Sequence, residues 1–336
     1  GKTTTILRKL YLNRTMFNWR ESDVLAITYT NGAAKNMRDS YIEMVSHSKD
    51  PALINFKTIH KYGKEFIEIA NPSIQLISED KPLVETHFDH NMGEQIEHTT
   101  SIYQLVRRAM KLNGVEPYQV STVMILNALS VISEKMISSE EEFRGSEQFL
   151  NFPIDFNKLM EIKESYTQEK SSRGCMDYVD MLETIHLIIS SIESTSNLQD
   201  ERLRRHIEYK AIYLDEAQDV SPLQISIINN LLRLNPDCQL VVVGDDDQSI
   251  FGFRGANPDY LVNLQDQYPV NEDGSESLEI IYMTQNRRSA PIIVNSTNKL
   301  IKNNINRYDK EAKAFNTDLK GDIKILKDLN YSISSK

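Results

Sequence analysis

Cysteine is all but missing from this 336-residue sequence: Cys175 and Cys238 are the whole complement, far apart and without the spacing of metal ligands. No disulfide framework is expected, and both are expected to be inert thiols. Long apolar runs are missing as well. None approaches the roughly 20 residues that cross a bilayer, and no succession of charged, apolar and small residues opens the chain as a secretory signal would. A cytoplasmic address with no membrane partner is therefore expected. Nor is there an excess of positive charge. The formal net charge is −10 at pH 7, which argues against a chain coated wholesale by nucleic acid. Local balance differs from the total, because basic residues outnumber acidic ones between Lys2 and Lys64. Gly and Pro are sparse between about Ile74 and Leu203, and no internal repeat or low-complexity tract is present. What the sequence does have is 40% hydrophobic residues over a length that suffices for two or three domains, each with its own core.

Four stretches set polar residues where an element begins or ends. The chain opens "GKTTTILRKL" without Met and reads as a piece of something longer. Gly1-Lys2-Thr3 matches the second half of G-x-x-x-x-G-K-[ST], a loop whose N–H groups and Lys hold phosphates and whose hydroxyl binds Mg²⁺; the first half is absent. Thr4 to Leu12 continues as a helix with Ile6, Leu7 and Leu10 on one side, which puts Gly1 to Thr3 at a helix N-terminus, a place that attracts phosphate. "VLAITYT" (Val24 to Thr30) is a β-favouring run followed by a helical pattern from about Ala33 to Val45. Ala211 to Leu214 reads as a short buried strand, with Asp215 and Glu216 where its loop begins. In "CQLVVVGDDDQS", Leu240 to Val243 reads as a continuous buried strand that stops at Gly244 and Asp245. Buried strands alternating with helices predict an α/β fold around a parallel, doubly wound sheet with all four polar clusters on one edge. Between Ile74 and Leu203 the periodicity becomes mostly helical, as in Ile102, Leu105, Val106 and Met110, or Val123, Leu126, Leu129 and Ile132. An inserted helical domain is expected there. Helix is expected to resume from about Met283, a strand to start at Ile323 to Leu326, and "NEDGSES" (271 to 277) to be an exposed loop.

If Lys2 and Thr3 bind the outer phosphates of a triphosphate with Mg²⁺, a second strand end should supply one acid for the metal and one carboxylate to orient or deprotonate water. Asp215 and Glu216 fit those tasks, although adjacent acids can also simply cap the next helix. Gln218 and Asp219 crowd a third carboxylate and an amide onto the same turn, which costs energy unless a cation is present. Aromatic residues accompany the polar clusters. Tyr29, Phe251 and Phe253 lie just past strand ends, and exposed aromatics can stack on unpaired bases at about 1–3 kcal/mol each. Phe251 and Phe253 sit two apart in a Gly-containing loop beside Arg254, an odd place for core.

"LAITYTNGAAKNMRDS", "FKTIHKYG", "MDYVDML", "YLDEAQDVSPLQ", "VVVGDDDQSIFGFRGA" and "TQNRRSAPII" resemble, in order, successive motifs of the UvrD/Rep-type (PcrA-like) superfamily 1 DNA helicases, and the resemblance covers nearly the whole chain as an amino-terminal half. It implies a RecA-like P-loop NTPase sheet with an inserted mostly helical domain: first motor domain over 1–73 and 205–282, insert over 74–204, start of a second motor domain over 283–336. The implied activity is ATP-dependent translocation and unwinding on single-stranded DNA and duplex junctions, with Mg²⁺–ATP, in DNA repair. The implied roles run residue by residue. Lys2 and Thr3 match the phosphate-loop Lys and the metal-binding hydroxyl, flanked by Gly1 and Thr4; Asp215 matches the metal-linked acid and Glu216 the catalytic base. Gln248 matches a γ-phosphate sensor, and Arg288 an arginine that reaches that phosphate. Arg287 stands where the family commonly has a Tyr that packs on adenine, a stacking that a guanidinium can also provide. Thr4 stands for a frequent Arg, Gly32 for a Lys and Ile59 for a Phe. Tyr29, Phe251, Phe253 and Arg254 match DNA-stacking positions; Thr30, Asn31, Thr58 and His60 match positions near the DNA backbone. Two alternatives stay open: the motor part of a helicase–nuclease of the AddA or RecB type, and a non-hydrolysing DNA-binding module. Lacking part of the phosphate loop and most of a second motor domain, the chain by itself is expected to be a poor ATPase.

Overall fold

The computed structural model describes residues 1–46, 54, 56–89, 94–268 and 277–324. In chain order the principal elements are α1 (Lys2–Phe17), β1 (Val24–Ile27), α2 (Asn31–Val45), β2 (Phe56–Lys57), α3 (Ile59–Ala70), β3 (Gln75–Leu76), β4 (Leu83–Asp89), β5 (Glu94–Thr100), α4 (Ile102–Leu112) and α5 (Thr122–Glu134). They continue with α6 (Glu140–Gly145), α7 (Phe156–Ser171), β6 (Cys175–Met176), α8 (Tyr178–Ser191), α9 (Glu201–Ile207), β7 (Ala211–Leu214), α10 (Pro222–Leu234), β8 (Gln239–Val242), β9 (Gln285–Asn286) and β10 (Lys313–Ala314). Two compact units result, Ile6–Leu261 and the pairing of Gly1–Thr5 with Val262–Lys336.

The larger unit is built on a parallel sheet of order β2-β1-β7-β8. Ile27 pairs with Leu214, and Leu214 with Val242, so three strands end level. One further rung extends each exit: the Asp215 N–H donates to the Ile27 carbonyl at 2.9 Å, Val243 to Leu214 at 2.8 Å, and Thr28 to Lys57 at 3.1 Å. The segments VLAI and AIYL are buried throughout, as strands covered on both faces must be. β8 departs from the expected fully buried strand: its residues are exposed or half-buried, because among the described residues only β7 lies beside it. The two-residue β2 carries too short an apolar signal to be read from sequence. Ile6, Leu7 and Leu10 of α1 join Val24, Ala26, Met37, Tyr41, Phe56 and Tyr213 in one core, which buries the expected side of that helix. Fully burying each such side chain contributes roughly 1.5–3 kcal/mol.

A second core lies under α4, α5 and α7, with Leu105, Val106, Met110, Ile125, Leu129, Ile132, Leu159 and Ile162 among its members. Here the expected apolar face of α5 is corrected. Val123 is 49% exposed, and the buried stripe is Ile125, Ala128, Leu129 and Ile132. Steps of three residues drift around a 3.6-residue helix, whereas i, i+3, i+4, i+7 stays on one side. The 74–204 span also contains strands that its helical periodicity did not announce: an antiparallel β4–β5 pair and a parallel β3–β6 pair. β3 and β6 are only two residues long, and "LVETHFD" of β4 does not alternate apolar with polar residues, so neither pair carries the period-2 signal of a strand. Glu85 on β4 receives two 2.9 Å hydrogen bonds from Arg173, a contact between residues distant in sequence. α8, within the same span, packs against α3 and α10. Both cysteines are free, and burial pushes the Cys175 thiol up to about 11 and that of Cys238 to about 12, so neither is a thiolate near neutrality.

In the smaller unit β9 pairs with β10 in parallel, and a helix runs from Pro291 to Ile301. Helix does not resume at Met283 as expected. Asn286 accepts from the N–H groups of Arg288 and Ser289, both at 2.9 Å, forming a turn, and Pro291 sets the first helical residue. Ile323 and Lys324 are not in a strand; the rest of that expected strand, and the loop expected at 271–276, lie outside the described residues. Among the described residues no helix is long and apolar enough to cross a membrane.

Candidate functional site

The level strand ends bring the polar loops of β1, β7 and β8 side by side. Asp215 leaves β7 at 5% exposure, and Glu216 follows with φ 53° and ψ 46°, a left-handed conformation that costs a non-glycine residue about 1–3 kcal/mol. The bend is held from the neighbouring strand, since the Ala217 N–H donates to the Val243 carbonyl at 3.1 Å. Gly244 is required opposite. A Cβ there would sit 2.7 Å from Leu261 Cδ2, 2.9 Å from Gln218 Oε1 and 3.3 Å from the Ala217 nitrogen.

Gln218, 2% exposed, ties the two loops together. Its Nε2 donates to Glu216 Oε2 at 3.0 Å and to Asp219 Oδ2 at 3.3 Å; its Oε1 accepts from the Asp245 N–H at 2.9 Å. Gln248 in turn donates through Nε2 to Asp245 Oδ2. A continuous hydrogen-bond chain therefore runs from Gln248 through Asp245 and Gln218 to Glu216. Gln218 and Asp245 were absent from the sequence-derived candidates, although the crowded D-E-A-Q-D turn was a signal for the first. The carboxylates of Asp245, Asp246 and Asp247 also lie within 4.8 Å of one another.

Beside these loops stands an aromatic shelf. Tyr29, just beyond β1, stacks on Phe251 with centroids 5.1 Å apart at 26°, and Phe253 lies 6.2 Å from Phe251 at 51°. The Arg254 guanidinium is 5.5 Å from both phenylalanine centroids. Burial raises the Tyr29 phenol above its ordinary value of 10.0, opposed by its hydrogen bond to Arg254, so the ring stays neutral. Phe253 is 59% exposed, leaving a ring surface open to stacking. The shelf is coupled to the carboxylate loop through Ser249, whose hydroxyl donates to the Gln218 carbonyl at 3.1 Å.

The other nucleic-acid candidates have structural employment. Thr30 caps α2 by accepting from Ala33, and Asn31, exposed, is the first residue of that helix. Thr58 is buried and caps α3 by accepting from Lys61 at 3.2 Å. His60 stands edge-on to Tyr178 at 5.7 Å, and burial lowers its pKa, keeping the ring uncharged at neutral pH. Polar side chains with N-cap geometry are what an element start demands, independent of any ligand.

In the smaller unit, Gly1 and Thr4 are exposed, and Lys2 and Thr3 half-buried, in the first turn of α1, where the Thr5 N–H and hydroxyl both donate to the Gly1 carbonyl. Arg287 is exposed, its guanidinium 4.0 Å above the Phe315 ring and bonded to Gln285 Oε1 at 3.4 Å. Arg288, also exposed, is anchored through its backbone N–H on Asn286.

The parallel sheet, with an acidic, sharply bent loop at one strand end and a braced loop at the next, is the α/β arrangement of a RecA-like P-loop domain, as the family match shows. The chain belongs to the UvrD/REP helicase N-terminal domain family, whose family model matches residues 1–269. It is similar to the probable DNA helicase II homolog of Mycoplasma capricolum, 27% identical over 340 residues, 99% of this chain and 42% of that protein. It is similar also to the ATP-dependent DNA helicase PcrA of Leuconostoc citreum, 25% identical over 316 residues, covering 93% of this chain and 37% of that one. A putative ATP-dependent DNA helicase, YjcD of Bacillus subtilis, is 33% identical over 162 residues, 48% of this chain and 19% of that protein. The chain spans less than half the length of each of these relatives.

Proposed function

We propose that the protein is an ATP-dependent motor that translocates on single-stranded DNA and unwinds duplexes at junctions, in the service of DNA repair. The observation that carries this reading is the hydrogen-bond chain from Gln248 to Glu216, with Ser249 joining the aromatic shelf to the same brace. In this reading Lys2 binds the outer phosphates, Glu216 orients the attacking water and accepts its proton, and Gln248 and Arg288 sense the γ-phosphate. Tyr29, Phe251 and Phe253 stack on unpaired bases without sequence preference, Arg254 adding charge, while Thr30, Asn31, Thr58 and His60 line the backbone path. Arg287 stacks on the base of the nucleotide. Hydrolysis removes the γ-phosphate from Gln248, and the brace transmits the change to the shelf.

The donors fit a hard divalent cation: a buried carboxylate at a strand end and a hydroxyl in the first turn of a helix are both oxygen ligands. Asp215 and Thr3 would hold Mg²⁺, which when bound neutralises charge on the phosphate oxygens. The division into motor segments 1–73 and 205–282, insert 74–204 and second motor from 283 is part of the same reading, as is a cytoplasmic site of action.

The test is DNA-stimulated ATP hydrolysis by the full-length protein carrying Glu216→Gln. Turnover should fall by about two orders of magnitude or more with nucleotide binding retained. Retained turnover would exclude Glu216 as the base.

A further inference from the structure

Glu134 closes α5 at 6% exposure, a carboxylate set among residues far from it in sequence. Its Oε2 accepts from the Ser221 hydroxyl and from Gln224 Nε2 at 3.4 Å. Ser221 is the cap of α10, the helix that follows the D-E-A-Q-D turn, and its hydroxyl also accepts from the Gln224 N–H at 3.3 Å. On its other side Glu134 meets the end of the aromatic loop. Gly255 has φ +96°, and a Cβ there would lie 2.7 Å from the Cβ of Glu134. The same junction is closed by Asn257, whose N–H donates to the Val220 carbonyl at 3.1 Å. One side chain thus touches the segment that leaves the carboxylate turn and the segment that leaves the shelf.

α5 is rooted in the second core through Ile125, Ala128, Leu129 and Ile132, so Glu134 cannot shift without moving that helix. Burial raises the Glu134 carboxyl above its ordinary value, and the Ser221 and Gln224 hydrogen bonds pull it back. A buried carboxylate retained at such a cost is effective only while both donors stay in place.

We propose that Glu134 is a positioning residue through which the helical segment holds the aromatic shelf in register with the carboxylate loop, so that bases stacked on Phe251 and Phe253 accelerate hydrolysis at Glu216. The inference rests on the motor reading above. Glu134 touches neither nucleotide nor DNA; it acts through Ser221 and Gly255. The coupling it carries is a free energy between two sites, and losing it should leave each site able to work alone.

The experiment compares wild type, Glu134→Ala, Glu134→Gln and Gly255→Ala in the full-length protein, measuring ATP turnover without DNA and across a titration of oligo-dT, together with thermal unfolding. In Glu134→Ala, DNA-free turnover should stay within about twofold of wild type while the stimulation factor drops about tenfold. Glu134→Gln, whose amide oxygen accepts the same two hydrogen bonds, should keep most of the stimulation. Gly255→Ala, which forces a methyl against Glu134 at a left-handed backbone, should reproduce the alanine defect. Full stimulation in Glu134→Ala overturns the proposal. Equal loss of DNA-free and stimulated turnover, tracking a lowered melting temperature, overturns it too, because the residue would then be a stability element only. Absence of DNA stimulation in wild type would instead refute the motor reading itself.

Discussion

Gln218 and Glu216 are joined by a 3.0 Å hydrogen bond, amide nitrogen to carboxylate, across a left-handed backbone turn. That contact fixes the direction of the carboxylate, and the other end of the same amide is held by the Asp245 N–H on the neighbouring strand end. An acid whose backbone is strained and whose side chain is tethered is preorganised, because little reorganisation remains when substrate arrives.

Gln218→Leu removes the tether while keeping the volume. If Glu216 is the base proposed above, DNA-stimulated kcat of the full-length protein should fall about 10- to 100-fold with KM for ATP nearly unchanged, as expected of a residue that orients the base through a side-chain hydrogen bond. Steady-state kinetics separate the two parameters; a change confined to KM would contradict the assignment.

Phe253→Ala removes the most exposed ring of the shelf. Affinity for single-stranded oligo-dT, measured by fluorescence anisotropy, should weaken by roughly 1–3 kcal/mol, and melting temperature should change little because the ring buries little area. Unaltered DNA affinity would remove this ring from the stacking surface.

Lys170 is buried between Asp177, at 2.7 Å, and Asp180, at 2.5 Å, with its ammonium 3.7 Å from the Tyr166 ring centroid. Lys170→Met strands two carboxylates without their counter-charge, which should destabilise the larger unit by about 3–5 kcal/mol. Denaturant unfolding reads the loss directly, and a shift below about 1 kcal/mol would show that the carboxylates find other partners.

His206 stacks on Tyr62 at 4.8 Å and 11°, and burial lowers its pKa from the ordinary 6.5. Above 6.5 the ring is neutral in folded and unfolded chains alike. As pH falls below that value the unfolded chain takes up the proton first, so stability is lost as pH drops through the folded pKa. Melting temperature should decrease between about pH 7.5 and about pH 5.5, and His206→Phe, which keeps a ring against Tyr62, should flatten part of that slope. An identical slope in the variant would mean that other groups set it.

The strand runs of Val24 to Ile27 and Ala211 to Leu214, the helix that follows the first of them, and the family to which the chain belongs were all legible in the residues themselves, whereas the helix that Thr58 caps was not. Each is a local matter: β-branched runs need burial on both faces, a threonine before a helix offers the oxygen that the first turn lacks, and a motif is written in contiguous letters. Only the tertiary structure decided the half-exposed margin at β8, the face that α5 buries, the pairing of β4 with β5, and the bracing by Gln218 and Glu134. Those features depend on which distant segments meet. A glutamine becomes a tether only when a second strand end brings the Asp245 N–H within reach, and a glutamate at a helix end becomes a post between two loops only when Ser221 and Gly255 close on it. Contacts across such sequence separations leave no periodic or compositional trace, because what stabilises them is the geometry of the assembled sheet and helices rather than the preference of any one residue.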